Sequence, residues 1–263
     1  MDEYIKPQRK RVFNIPVDII DEGILLKCIE YCIEHNIKCN NIMAVNAEKI
    51  MAGQKDKFLL ECLENASFLI PDGTGATVAL KVMHNTKVNR LPGADLMHII
   101  CRESAKKGYR VFIYGAKEEV NRTAVEKLRQ LYPGLNIVGR CNGYVTQEKM
   151  QELIDQINNS GAQILFVALG SPKQEKWIHE NLPKLNVNIC QGIGGTLDTI
   201  AGCVKRAPLF FRKTGTEWIY RLILQPRRIR RHFAIWVFIL KVIAEWTKRK
   251  FSHLVHSEHT SSA

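Results

Sequence analysis

Five short stretches place polar side chains, in four of them beside glycine or proline, in the manner of ligand-handling turns. Asn46 and Glu48 follow the apolar run Ile42-Met43-Ala44-Val45, and at a strand-to-helix turn such residues serve either as caps or as ligand contacts. The stretch Ile70-Pro71-Asp72-Gly73-Thr74-Gly75 ends an apolar run on a carboxylate. Its glycines let backbone amides come close to a ligand, and helix N-capping is the other reading of Asp72. Arg90, within Asn89-Arg90-Leu91-Pro92-Gly93-Ala94-Asp95, is either a phosphate counter-charge or a solvated side chain. In Gly170-Ser171-Pro172-Lys173-Gln174-Glu175, Ser171 reads as an N-cap with Pro172 at the first helical position. Lys173 and Gln174 then face whatever anion the helix dipole holds. Last, Gln191-Gly192-Ile193-Gly194-Gly195-Thr196-Leu197-Asp198 reads as a phosphate cradle or as a tight turn.

Several chemistries are excluded by what these stretches lack. The glycines do not follow Gly-x-Gly-x-x-Gly, and no Gly-x-x-x-x-Gly-Lys occurs, so neither a dinucleotide fingerprint nor a P-loop is supported. Neither His-Glu-x-x-His nor Gly-x-Ser-x-Gly is present, which removes zinc-protease and serine-hydrolase classes. Without any Asp-x-Asp, the usual metal grip on a sugar-nucleotide diphosphate is missing. The eight cysteines are scattered, with no Cys-x-x-Cys, and read as buried structural thiols.

The elements that must position these residues alternate along the chain. Strand signals fall at Asn41 to Val45, Ser67 to Ile70, Arg110 to Tyr114, Asn136 to Gly139, Ile164 to Leu169 and Val187 to Gln191. Helical periodicity falls at Glu22 to His35, Lys55 to Asn65, Gly75 to Met83, Ala94 to Lys107, Glu118 to Tyr132, Gln147 to Ser160, Lys173 to Asn181 and Thr196 to Ala201. Ile164-Leu165-Phe166-Val167-Ala168-Leu169 is apolar at every position, as a parallel strand covered on both faces must be. This predicts a doubly wound, mostly parallel, Rossmann-like α/β body. In such sheets ligands lie beyond the carboxyl ends of the strands, which is where four of the five stretches fall; Asn89 to Asp95 is instead a turn leading into a helix.

The pattern changes near Pro208. From Thr216 onward two helical pieces are broken by Pro226, and Ile229, Phe233, Trp236, Leu240 and Ile243 recur at helical spacing beside basic residues. The division predicted is a body over residues 1–204 that holds the α/β core, a helical cationic appendage over 205–252 and a frayed tail over 253–263. With 263 residues, 46% of them hydrophobic and 24% charged, the chain has the composition of a soluble globular protein with a full core. Its net charge is +12, and the charge is concentrated at one end. From residue 204 onward, 13 Lys and Arg face only Glu217, Glu245 and Glu258, which predicts an anionic partner for the appendage. The first residues hold no apolar h-region, which predicts no secretory signal, and the longest apolar run, Phe233 to Leu240, is eight residues against the ~20 needed to cross a bilayer. The expected location is cytoplasmic.

Taken together and in order, the blocks resemble one family. Val45-Asn46-Ala47-Glu48, Pro71-Asp72-Gly73, Arg90 to Asp95, Leu169 to Glu175, Gly192-Ile193-Gly194-Gly195 and Arg206-Ala207-Pro208 are similar to those of the WecG/TagA/CpsF glycosyltransferases. So are Glu217-Trp218-Ile219-Tyr220-Arg221-Leu222 and Pro226-Arg227-Arg228-Ile229-Arg230-Arg231. The resemblance implies an inverting, metal-independent transfer of a sugar from a UDP donor to a lipid-diphosphate-linked N-acetylglucosamine. Well-known members transfer N-acetylmannosamine in making the wall teichoic acid linkage unit, and relatives transfer N-acetylmannosaminuronic acid or glucose. By motif position, Asp72 is implied as general base, with Asn46, Arg90 and Gln174 around the sugars. Tyr144, Asp198, Gly192, Gly194 and Gly195 are implied to hold UDP, with Arg221, Arg228 and Arg231 over the donor diphosphate. Ala44 departs from the pattern, since some members carry a hydroxyl residue there.

Elementary chemistry agrees with these roles. One carboxylate must take the acceptor hydroxyl's proton as the anomeric carbon is attacked. Without a metal, arginines and helix N-termini must offset charge on the departing UDP. The Trp- and Arg-rich appendage also suits a peripheral position on the inner, anionic face of the cell membrane, and its exposed aromatics suit self-association into a homo-oligomer. No cofactor is expected. A nucleic-acid-binding protein is the rival of another class, because Arg227 to Arg231 would also track phosphates. The interleaved Trp236, Phe238, Ile239 and Leu240 favour lipid. A nicotinamide-dependent oxidoreductase is disfavoured by the missing glycine fingerprint.

Overall fold

Alternate residues of the central strands enter opposite cores, and this divides the molecule into layers. A computed structural model describes residues 6–205, 207, 208, 210, 211, 220 and 229–260. Six parallel strands form the sheet: β3 (Asn40–Val45), β4 (Phe68–Pro71), β5 (Arg110–Gly115), β6 (Asn136–Cys141), β7 (Ile164–Ala168) and β8 (Ile189–Gly192). Their spatial order is β4-β3-β8-β7-β5-β6. Ile42 of β3 stands level with Phe68 of β4 on one side and Gln191 of β8 on the other. Ile42, Ile113 and Phe166 join one core, covered by α1 (Glu22–Glu34), α5 (Gly93–Lys107), α6 (Glu118–Leu131) and α9 (Thr196–Ala201). On the opposite face, Met43 and Leu69 pack against α2 (Ala47–Gly53), α3 (Lys57–Glu64) and α4 (Thr74–His84). Further along that face, Phe112, Leu165 and Val167 meet α7 (Met150–Asn159) and α8 (Lys173–Asn181). The doubly wound Rossmann-like body read from the apolar pattern is the fold observed.

Two features depart from that reading. A hairpin, β1 (Gln8–Val12) and β2 (Ile15–Ile19), precedes α1. Its two turn residues, Phe13 and Asn14, both have positive φ (49° and 68°), the geometry a two-residue hairpin needs. No glycine marks that turn, so the sequence carries no obvious signal for it. Asp18 on β2 is fully buried and is held by Arg9 at 2.7 and 3.1 Å and by the Leu69 N–H at 2.8 Å, which ties the hairpin to β4.

The second departure concerns the core, expected to lie wholly upstream of residue 205. The helix α10 (Ile229–Thr260) places Phe238 and Val242 in the same cluster as Met43, Ile50 and Ala76. Phe13 of the hairpin meets Phe238 edge-on, with ring centroids 5.8 Å apart. A Cβ on Gly75 would stand 3.2 Å from the Phe238 ring, so the glycine makes room for the helix. Phe233, Trp236, Leu240, Ile243 and Trp246 face outward. The helical period thus yields two apolar stripes, one on the body and one exposed. Apart from Tyr220, the expected helical piece after Thr216 and its break at Pro226 lie outside the described residues.

Candidate active site

Pro71, Val45, Gly192 and Ala168 end four neighbouring strands on one side of the sheet, and beyond them opens a cleft of about 990 Å³. The loops after β3, β4, β7 and β8 border it, and Phe233, Ala234 and Val237 of α10 form part of its wall. Two backbone hydrogen bonds assemble one flank. The Asp72 N–H donates to the Val45 carbonyl at 2.9 Å, and the Leu91 N–H donates to the Pro71 carbonyl at 2.9 Å. They bring the segments carrying Asn46, Asp72 and Arg90 alongside one another.

Asn46 borders the cleft and also caps α2, its Oδ1 accepting the Lys49 N–H at 2.8 Å. Asp72 is half-buried at the cleft. The capping alternative does not hold for it, because α4 begins after Gly73 and no side chain caps that helix. Arg90 is half-buried beside this flank but is not part of the lining. Gln191, buried on β8, donates from Nε2 to the Gly93 carbonyl at 2.8 Å and docks the start of α5 against the strand ends.

The opposite flank is built from α8 and the glycine turn. Ser171 does not cap α8 as its residue type suggests. Pro172 occupies that position without a side-chain cap, and the Gly170 and Pro172 carbonyls accept the Gln174 and Lys176 N–H groups. Gln174 is buried; its Oε1 accepts the Gly194 N–H at 2.9 Å. Gly194 has φ +55°, and a Cβ on Gly192 would come within 2.9 Å of Gln174 Nε2. Backbone conformation at the one and space at the other therefore call for glycine. Gly195 and Asp198 border the cleft, Asp198 in the first turn of α9.

The remaining expected residues are not part of the described lining. Lys173 is exposed at the start of α8 and outside the lining. Tyr144 is 72% exposed on the loop after β6. That loop turns back over the strand ends: the Gly143 N–H donates to the Ala116 carbonyl at 2.8 Å, and a Cβ on Gly143 would stand 2.8 Å from the Leu169 side chain, next to Gly170 of the lining. Arg221 and Arg228 lie outside the described residues, and Arg231 falls in the first turn of α10.

Sequence reasoning missed the ion pair beneath this flank. Lys49 Nζ lies 2.8 Å from Glu175 Oε1, which also accepts from Gln174 Nε2 at 3.2 Å. Glu175 is 4% exposed. Burial alone would raise its carboxyl. The Lys49 charge and hydrogen bond outweigh that, helped by the Glu175 backbone and Gln174, and hold it below the usual carboxylate value. The partners are 126 residues apart, so no local pattern joins them.

Charge in the cleft is close to balanced. The described lining holds the carboxylates of Glu48, Asp56, Asp72 and Asp198 with the ammonium groups of Lys49, Lys55 and Lys205, and Lys49 is engaged by Glu175. A ligand carrying a diphosphate would therefore need cations beyond this lining. The described residues contain no group of three or more His, Cys, Asp or Glu arranged to hold a metal ion. Nor does any described helix have the length and apolarity to cross a membrane.

Comparison with known proteins adds to this geometry. The sequence model of the glycosyl transferase WecG/TagA/CpsF family matches residues 10–252. A protein of Bacillus subtilis (strain 168), N-acetylglucosaminyldiphosphoundecaprenol N-acetyl-beta-D-mannosaminyltransferase, is 33% identical over 257 residues. The match covers 96% of this chain and 98% of that protein.

Proposed function

Because the chain belongs to the WecG/TagA/CpsF family of glycosyl transferases, we propose that it moves N-acetylmannosamine from a UDP donor to a polyprenyl-diphosphate-linked N-acetylglucosamine. The transfer inverts the anomeric centre and uses no metal or other cofactor. One observation carries the reading: the half-buried carboxylate of Asp72 and the Gly192–Gly195 turn flank one cleft at the strand ends. The relative's name, which specifies both the sugar and the acceptor, supports the choice of substrates.

In this mechanism the acceptor hydroxyl oxygen attacks the anomeric carbon while Asp72 takes its proton. The bond to the UDP oxygen breaks, and UDP leaves with the electron pair. Asn46, Arg90 and Gln174 border the sugars. The glycine turn and Asp198 hold UDP, and Tyr144 and Lys173 reach it from the rim. Four carboxylates and three lysines in the lining leave no cationic surplus, which favours Arg221, Arg228 and Arg231 as the charges that meet the diphosphate. The exposed Phe233, Trp236, Leu240 and Trp246 of α10, with Lys248, Arg249 and Lys250, suit attachment to an anionic membrane face carrying the lipid acceptor. The same face suits a second copy, while nucleic acid is not a partner in this reading.

The deciding assay incubates the purified protein with a soluble lipid-linked N-acetylglucosamine analogue and a panel of UDP-sugars, and measures UDP release. Turnover with UDP-N-acetylmannosamine alone is expected. Preference for UDP-N-acetylmannosaminuronic acid or UDP-glucose would reassign the donor, and no turnover with any of them would overturn the reading.

A further inference from the structure

A buried ion pair seldom adds net stability, because desolvation offsets the attraction, and here the pair is incompletely satisfied. Glu175 Oε2 is buried with no hydrogen-bond partner among the described residues, so Oε1 alone takes the Lys49 and Gln174 donors at 2.8 and 3.2 Å. What the pair does fix is the orientation of an amide. Lys49 is a donor only, and ionised Glu175 is an acceptor only. Gln174 must then turn Nε2 towards Glu175, which leaves Oε1 towards the Gly194 N–H at 2.9 Å. The reversed amide would set a carbonyl oxygen against the carboxylate and an NH₂ against an N–H.

The contacts form one path. Lys49 is in the first turn of α2, and its backbone N–H is bonded to Asn46. Its ammonium group reaches α8, and Gln174 reaches the glycine turn after β8. We infer that Glu175, paired with Lys49, is a positioning residue that fixes the Gln174 amide and through it the glycine turn that receives the donor nucleotide. Its action on the turn stands on the contacts, whereas the ligand named for the turn rests on the function proposed above. Gly192 adds a steric restraint, since Gln174 packs where a Cβ would be.

The test compares wild type with Glu175→Gln, Lys49→Met and Lys49→Arg in the full chain. Amide hydrogen exchange is read by NMR at Gly194 and Leu69, and UDP affinity by calorimetry. Leu69, on β4, donates to Asp18 Oδ2 at 2.8 Å, outside the glycine turn, and serves as the internal reference. Losing a buried hydrogen-bond partner predicts about 10-fold faster exchange at Gly194 in Glu175→Gln and Lys49→Met, with Leu69 unchanged and Lys49→Arg close to wild type. UDP affinity should fall about 10-fold in the same two variants, and Lys49→Arg should restore it. Unchanged Gly194 exchange in both, or equal acceleration at Leu69, would overturn the inference. If wild type fails to bind UDP, the proposed donor falls, while Gly194 exchange still decides the positioning role.

Discussion

The backbone N–H of Asp72 donates to the carbonyl of Val45 across 2.9 Å, so the end of β4 is bonded directly to the end of β3. Asp72 and Asn46, the residues following each strand, therefore stand on one flank of the cleft although 26 positions separate them. The carboxylate is held by strand ends and not by a mobile loop, as suits a group that must meet a reacting hydroxyl.

Asp72→Asn keeps the shape and removes the base. Turnover should fall by roughly 100-fold or more, while UDP affinity changes little. Steady-state kinetics with calorimetry check both, and near-normal turnover would move the base to another residue, with Glu48 next in the cleft.

Chelation provides an independent check. Activity should survive EDTA, since the charge on the departing diphosphate is assigned to arginine. Loss of turnover with EDTA and its return on adding magnesium or manganese would reverse that assignment.

The appendage should separate into two roles. Arg221→Ala should lower turnover on a soluble acceptor and leave vesicle binding intact. Changing Lys248, Arg249 and Lys250 together to Gln should do the opposite, because each basic side chain near an anionic surface contributes roughly 1 kcal/mol. Vesicle sedimentation and the soluble assay distinguish them.

Phe238 should matter to stability. It is 2% exposed between α10 and the body, and Phe238→Ala is expected to cost about 3–5 kcal/mol, read by denaturant unfolding. A chain cut after Pro208 should lose the same packing and expose apolar surface around Ile50 and Ala76. An unchanged midpoint in Phe238→Ala would mean that α10 does not hold this position in solution.

Stability should depend on the Glu175 charge in acid. Its folded carboxyl is depressed by Lys49. The contribution is therefore full above the unfolded carboxylate value and disappears as pH falls through the lower folded one. Denaturation from neutral pH down to the acid limit should show wild type losing more stability than Glu175→Gln. Parallel curves would contradict the ionised pair.

Much of this was legible in the chain itself. The wholly apolar Ile164 to Leu169 run announced a parallel strand covered on both faces, and period-2 and period-3.6 patterns located the sheet and most helices. Polar residues just beyond apolar runs marked Asn46, Asp72, Gln174 and the Gly192–Gly195 turn, since open parallel sheets offer their strand ends to ligands. The Phe13-Asn14 turn escaped because left-handed backbone there is adopted without glycine. Lys49 and Glu175 escaped because local periodicity reports which face a residue takes and not which distant residue it meets. Strand order decided that meeting. By setting β3 beside β8 and β8 beside β7, it joined α2, α8 and the glycine turn at one buried carboxylate.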